Sequence, residues 1–237
     1  MKIKILTLLF LAGCLVSYGQ GETKMGIKAG FTSANVSGPD LKQLSSGGSP
    51  SSLNSFHVGL FVNSKVGKYF WIKSEVLTLQ KGSVLQVKDK WGQQYQSNFK
   101  GQYIDVYPFS PTFHFKGFQV LVGPYVSMLL SASIQQKDSL GVLTSNHTIF
   151  GTSTVNSHYR QKIDAGVVLG LEYELKWGVS IGARYTQGYI PLIENAAAVY
   201  PANTPELPQQ KVFNKSLSIS IGYSFGNNKK EEKPIKK

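Results

Sequence analysis

The sequence predicts an all-β fold, an eight-stranded antiparallel up-and-down transmembrane β-barrel. Three observations predict it. Apolar residues alternate strictly with polar or glycine residues in segment after segment, as in Ile163-Ala165-Val167-Leu169-Leu171-Tyr173-Leu175 against Asp164, Gly166, Val168, Gly170, Glu172 and Glu174. A two-residue period gives a strand with two unlike faces. The connections between segments alternate between short and long, the pattern that joins the strands of outer-membrane barrels. Aromatic residues gather at the short connections, where amphipathic rings meet a membrane interface.

Eight segments carry the alternation, near 23–36, 55–66, 69–81, 100–115, 117–132, 159–176, 178–190 and 215–226. Gly67-Lys68, Lys116-Gly117 and Trp177-Gly178 mark tight turns. The stretches 37–54, 82–99, 133–158 and 191–214 are rich in Ser, Gly, Asn, Gln and Pro and are expected to be long outer loops. A β-sandwich gives Greek-key connections without that regularity.

Taking one phase per strand places Met25-Ile27-Ala29-Phe31, Phe56-Val58-Leu60-Val62, Phe70-Ile72-Ser74-Val76, Phe118-Val120-Val122, Val179-Ile181-Ala183-Tyr185 and Leu217-Ile219-Ile221-Tyr223-Phe225 on one face. No charge falls on it, although 16% of the chain is charged. The interleaved face holds Lys24, Lys28, Lys65, Lys73, Glu75, Lys162, Asp164, Glu172, Glu174 and Arg184, with many glycines. An eight-stranded bore is only wide enough to be filled by side chains, so the crowded Phe, Tyr and Leu face must point outward, to lipid. The fourth strand breaks phase: Ile104 and Val106 face out, then Phe109, Phe113 and Phe115 need the other register. A bulge near Pro108, which has no ladder N–H to give, restores both.

The N-terminus has Lys2 and Lys4, an apolar run Ile5–Val16 and then Ser17-Tyr18-Gly19, the layout of a signal peptide cleaved after Gly19. Leu11-Ala12-Gly13-Cys14 also reads as a lipobox, which would anchor the chain through Cys14, the only cysteine. The expected organisation is a signal peptide at 1–19, a barrel at 20–226 and a lysine-rich periplasmic tail at 227–237. With Cys14 removed, disulfides and thiol chemistry are excluded. The net charge of +12 is spread without a basic stripe, and an exported chain of this kind is not expected to bind nucleic acid. Basic loops suit anionic lipid headgroups.

Gly26-Ile27-Lys28-Ala29-Gly30-Phe31, Glu75-Val76-Leu77 with Gln80-Lys81-Gly82, Tyr103-Ile104-Asp105-Val106, Gly123-Pro124-Tyr125, Ala183-Arg184-Tyr185 and Ser220-Ile221-Gly222-Tyr223-Ser224-Phe225 occur in an order that resembles the PorT-like outer-membrane β-barrel family. The resemblance spans about 21–226. It departs from the family where Tyr107 precedes Pro108 and where a lysine-rich tail follows Phe225. It implies an integral outer-membrane protein, with some relatives serving protein secretion, and implies no reaction.

Candidate site residues follow from the faces. Lys28, Lys73, Glu75, Asp105, Lys162, Asp164, Glu172, Glu174 and Arg184 are expected to meet as an ion-pair network in the lumen, since buried charges need partners. Arg184 is its expected anchor, because a guanidinium can bridge two carboxylates. Tyr69, Phe70, Trp71, Phe115, Phe118, Tyr173, Trp177, Tyr223 and Phe225 form the expected interface girdle. His57, facing the lumen, and His114, His147 and His158 show no metal spacing, and no Gly-x-Ser-x-Gly appears, so neither metal, cofactor nor catalysis is expected. The Ser- and Gly-rich loop one and the Pro-rich loop four are expected to carry function. The expected partners are outer-membrane lipid and a periplasmic or secretion-machinery protein. The leading functional expectation is a structural, assembly or secretion-associated component. The alternatives are a narrow solute channel or a soluble periplasmic ligand-binding barrel.

Overall fold

In a hydrocarbon solvent every backbone N–H and C=O must find a partner inside the protein, so a sheet can cross only by closing on itself. The computed structural model shows that closure and describes residues 22–41, 50–88, 94–137, 143–146, 162–192 and 211–225. Strands β1 (Thr23–Ser37), β2 (Ser51–Lys65), β3 (Phe70–Lys88), β4 (Gln94–Phe115), β5 (Phe118–Lys137), β7 (Ile163–Glu174), β8 (Val179–Gly188) and β9 (Phe213–Phe225) pair antiparallel in sequence order. The ladder from Met25↔Phe225 to Ser37↔Phe213 joins β1 to β9 and removes the last edge. A short β6 (Leu143–Asn146) pairs with the far end of β5. The leader with Cys14, the loop-one tip, His147, His158, most of loop four and the tail lie outside the described residues.

The three short connections lie at the end where β1 begins and β9 finishes. At the second, Lys116 (φ 49°) and Gly117 (φ 91°) both adopt left-handed backbone, the geometry that matches a two-residue turn to strand twist. The bulge in β4 is present: Lys73 and Glu75 face Ser110 and Tyr107, so β4 carries one residue more than β3 there. The extra residue turns Phe109 and Phe113 outward while Tyr107, Ser110 and Thr112 stay buried.

The two faces separate cleanly. Phe56, Leu60, Val120, Leu169, Leu171, Ile219 and Ile221 lie on the outer surface. Eight charged residues are buried among the described residues, namely Lys28, Lys73, Lys81, Arg184, Glu75, Asp105, Asp164 and Glu172. Glycine makes room for them: a Cβ on Gly182 would sit 2.4 Å from Glu172 Cγ, and one on Gly26 would sit 2.3 Å from Phe61 Cζ. The interior also holds an apolar cluster on the β3–β4–β5 side, built from Leu77, Leu79, Tyr103, Tyr107, Leu121, Tyr125, Leu129 and Val168.

The expected loops are shortened by strand, slightly at 51–54 and 213–214 and most in two places. Residues 82–88 and 94–99 continue β3 and β4 as a ladder that runs unbroken from Lys81↔Gly101 to Lys88↔Gln94. Residues 133–137 continue β5, which pairs there with β4 and β6. At about 3.3 Å per residue these strands project roughly 20 Å beyond the apolar belt as a four-stranded blade. The faces exchange character along it. Gln80, Lys100, Gln102, Ser131, Ser133 and Gln135 continue the lipid-facing side, while Ser83, Phe99 and Ala132 continue the inward one. The polar outward face begins where hydrocarbon ends.

Leu169→Arg, in the middle of the belt, is expected to lower folding stability by about 2–4 kcal/mol, whereas Gln135→Arg should change it little. Urea titration of the protein folded into vesicles measures both.

Candidate functional site

The lumen is built in storeys, counted from the end with the tight turns. At the mouth, Lys24 Nζ lies 2.8 Å from Glu174 Oε1, and Gln119 Nε2 donates to Glu174 Oε2 at 2.9 Å. Trp71 closes this level, with Lys24 and Lys65 5.5 and 5.8 Å from its ring centroid and His114 against its edge.

The next storey places three cations around two carboxylates. Lys28 Nζ, from β1, lies 2.7 Å from Glu75 Oε1 and 2.5 Å from Glu172 Oε1. Lys73 Nζ, from β3, donates to Glu172 Oε2. Arg184, from β8, places Nη1 2.5 Å from Glu75 Oε2 and Nη2 3.2 Å from Glu172 Oε1. Because β1, β3, β7 and β8 are not all neighbours in the sheet, these bonds are chords across the bore rather than rungs along its wall. Phe61 packs beneath the ammonium groups, with Lys73 Nζ 4.9 Å and Lys28 Nζ 5.6 Å from its ring centroid, a cation–π arrangement.

The third storey reverses the ratio. Lys81 Nζ lies 2.9 Å from Asp105 Oδ2 and 3.6 Å from Asp164 Oδ2, and it donates to Ser127 Oγ at 3.1 Å. Ser127 Oγ donates to Asp105 Oδ1. Tyr125 Oη and Asn214 Nδ2 donate to Asp164 Oδ2 at 3.0 and 3.1 Å. Tyr107 links the storeys, donating to Asp105 Oδ2 at 3.2 Å while its ring lies 5.0 Å from Arg184 Cζ. The eight buried charges sum to zero, four cations against four carboxylates. A neutral, cross-linked set is what charges removed from water require.

Beside these storeys, β9 presents a hydroxyl column. Ser218 meets Thr32 at 2.9 Å, Thr32 meets His57 Nδ1 at 2.8 Å, and His57 Nε2 meets Ser220 at 2.9 Å. Ser216 pairs with Thr186 at 2.6 Å.

Of the expected lumen residues, Lys28, Lys73, Glu75, Asp105, Asp164, Glu172 and Arg184 come together in the bore. Glu174 sits one level lower, at the half-buried mouth. Lys162 does not join them: it precedes β7 and is exposed. Lys81 was missed. It lies in the inward phase of β3, but sequence places it at the edge of a loop that is in fact strand. Of the expected girdle, Tyr69, Phe70, Phe115, Phe118, Tyr173, Trp177, Tyr223 and Phe225 lie on the outer surface, with Phe118 and Tyr173 4.7 Å apart and Tyr223 and Phe225 5.0 Å apart. Trp71 is a correction, being only 5% exposed. Its odd position in β3 turns it into the mouth, and proximity in sequence to Tyr69 and Phe70 hid that phase. Among the described residues, no group of three or more His, Cys, Asp or Glu is placed to hold a metal.

A family profile described as "Outer membrane protein beta-barrel domain" matches residues 19–194. No curated protein matches the chain. Among solved structures, the attachment invasion locus protein Ail of Yersinia pestis is similar at 12% identity and a TM-score of 0.42, covering 86% of this chain and 99% of that one. Neisserial surface protein A is similar at 15% identity and a TM-score of 0.42, covering 85% and 97%. The outer membrane protein OprG of Pseudomonas aeruginosa follows at 15% identity and a TM-score of 0.40, covering 87% and 98%.

Glu172→Ala removes the carboxylate shared by three cations and is expected to cost about 3–5 kcal/mol. Glu174→Ala, at the wetter mouth, should cost about 1 kcal/mol or less. The heat-modification midpoint of the folded barrel in detergent compares them.

Proposed function

Since the chain belongs to the outer membrane protein β-barrel domain family, we propose that this integral outer-membrane protein works at its extracellular face, with the β3–β6 blade as the recognition surface and the barrel as a closed mount. The observation that carries this reading is the set of ionic chords from Lys28, Lys73 and Arg184 to Glu75 and Glu172, which cross the bore where a solute would have to pass. A bore closed by paired charges leaves the surfaces outside the membrane as the place for a partner. The blade supplies one, with a polar outer face. Loops mounted on such a rigid scaffold are where binding residues concentrate.

A narrow solute path is the second reading. In its favour, the lumen is lined by ionic groups and by Ser216, Ser218 and Ser220 rather than by apolar side chains alone. Kinship with PorT-like barrels is a finer reading that rests on the strand motifs, and service to secretion through a periplasmic protein goes with it. Cleavage after Gly19 belongs with it.

Planar-bilayer recording separates the two main readings. The closed mount predicts no stepwise conductance from the intact protein. A photo-reactive group placed at Gln135 in whole cells should capture a defined partner that the same group at Leu169 does not. Steady ion-conducting steps, or identical captures at both positions, would contradict the proposal.

A further inference from the structure

On the β3–β4–β5–β7 side, the aromatic residues at the turn end join into one shelf on the outer surface. The ring centroids of Phe70 and Phe113 lie 5.7 Å apart, and that of Tyr69 lies 6.1 Å from Phe113 and 6.0 Å from Phe115. Phe118 lies 4.7 Å from Tyr173. Phe115 and Phe118 are opposite partners across the second tight turn and so connect the two groups. Rings at this level mark where hydrocarbon gives way to headgroups.

Two lysines stand on that shelf. Lys68 Nζ lies 5.1 Å from the Tyr69 ring centroid, and Lys116 Nζ lies 5.3 Å from that of Phe115. Because Tyr69 and Phe115 are neighbours, two separate tight turns bring their ammonium groups to adjacent rings. Both lysines are exposed. The acids described at this end are committed elsewhere: Glu174 pairs with Lys24 at the mouth, and Glu22 lies 3.8 Å from Lys24 and from Lys65. Among the described residues, neither Lys68 nor Lys116 has a carboxylate within ion-pair distance. Exposed cations beside a ring-lined apolar surface suit an amphiphile with an anionic head.

We infer that this rim binds one anionic phospholipid of the facing leaflet, with its phosphate between Lys68 and Lys116 and an acyl chain against Tyr69, Phe113 and Phe115. Charge complementarity commits the site to that occupant. Two lysines without carboxylate partners favour a headgroup of net negative charge over a zwitterionic one, whose own ammonium they repel. The rings call for acyl chains, which an acidic sugar polymer lacks. The third tight turn supplies a contrast: Lys176 is exposed there, but among the described residues it stands over no ring. The inference rests on the reading of the blade as extracellular only for the leaflet, which is then the periplasmic one.

Native mass spectrometry of the full chain in detergent, titrated with phosphatidylglycerol, phosphatidylcholine or glycerol 3-phosphate, tests the site. One phosphatidylglycerol should be held about tenfold more tightly than phosphatidylcholine, and glycerol 3-phosphate should neither bind nor compete. Lys68→Gln combined with Lys116→Gln should bring the two lipids to within about twofold of each other. Lys162→Gln combined with Lys176→Gln removes the same net charge from elsewhere and should keep the preference. The preference of the unaltered chain is read without any variant, and the heat-modification shift checks that both double variants are folded. Equal retention of the two lipids, competition by glycerol 3-phosphate, a preference that survives Lys68→Gln with Lys116→Gln, or one lost equally in both double variants would each overturn the assignment. These results come from purified protein and do not depend on which side of the membrane the turns face, whereas capture at Gln135 in whole cells does.

Discussion

Glu172 receives Lys28 from β1, Lys73 from its own level on β3 and Arg184 from β8. One carboxylate thus ties together strands that the sheet alone connects only around its circumference. Charges taken out of water are stable only in closed, well-bonded sets, and removal of one member leaves the others uncompensated. That requirement explains why the buried charges balance and why glycines such as Gly182 and Gly26 stand beside them. The long ionic side chains and Phe61 need the volume that a Cβ would take.

The outer surface answers the complementary demand. Lipid offers no hydrogen bonds, so the backbone closes through β1 and β9, and the side chains facing hydrocarbon are apolar. Where β3, β4 and β5 rise beyond the belt, lipid no longer selects the outward residues. Gln80, Lys100 and Gln135 replace Val76, Val106 and Leu130 there, and the sheet continues as a blade in a different solvent. A single antiparallel ladder therefore passes from one solvent to the other without changing its backbone.

Much of this was legible in the sequence because the membrane enforces strict alternation. The outward phase of β7 and β9, the tight turns at Lys116-Gly117 and Trp177-Gly178, and the bulge beside Pro108 follow from period and steric rules alone. The blade was not legible, since a sheet polar on its outward face and rich in Ser, Gln and Asn has the composition of a loop. Lys81 was hidden by the same effect. Trp71 was assigned by its neighbours rather than by its phase, and Lys162 by its phase although the strand starts one residue later. Nothing in sequence could pair Lys81 with Asp105 or Lys28 with Glu172, because those meetings depend on the shear of the closed barrel.

The central claim is the direction of the two faces: apolar side chains to lipid, ionic ones into a sealed lumen. Single cysteines, spin-labelled and read for collision with oxygen and with a water-soluble nickel complex, test it residue by residue in bilayers. Labels at Val120, Leu169 and Ile219 should collide strongly with oxygen and little with nickel, while labels at the neighbouring Gln119, Val168 and Ser218 should be shielded from both. Strong oxygen collision at Gln119, Val168 and Ser218 with shielding at Val120, Leu169 and Ile219 would contradict the account.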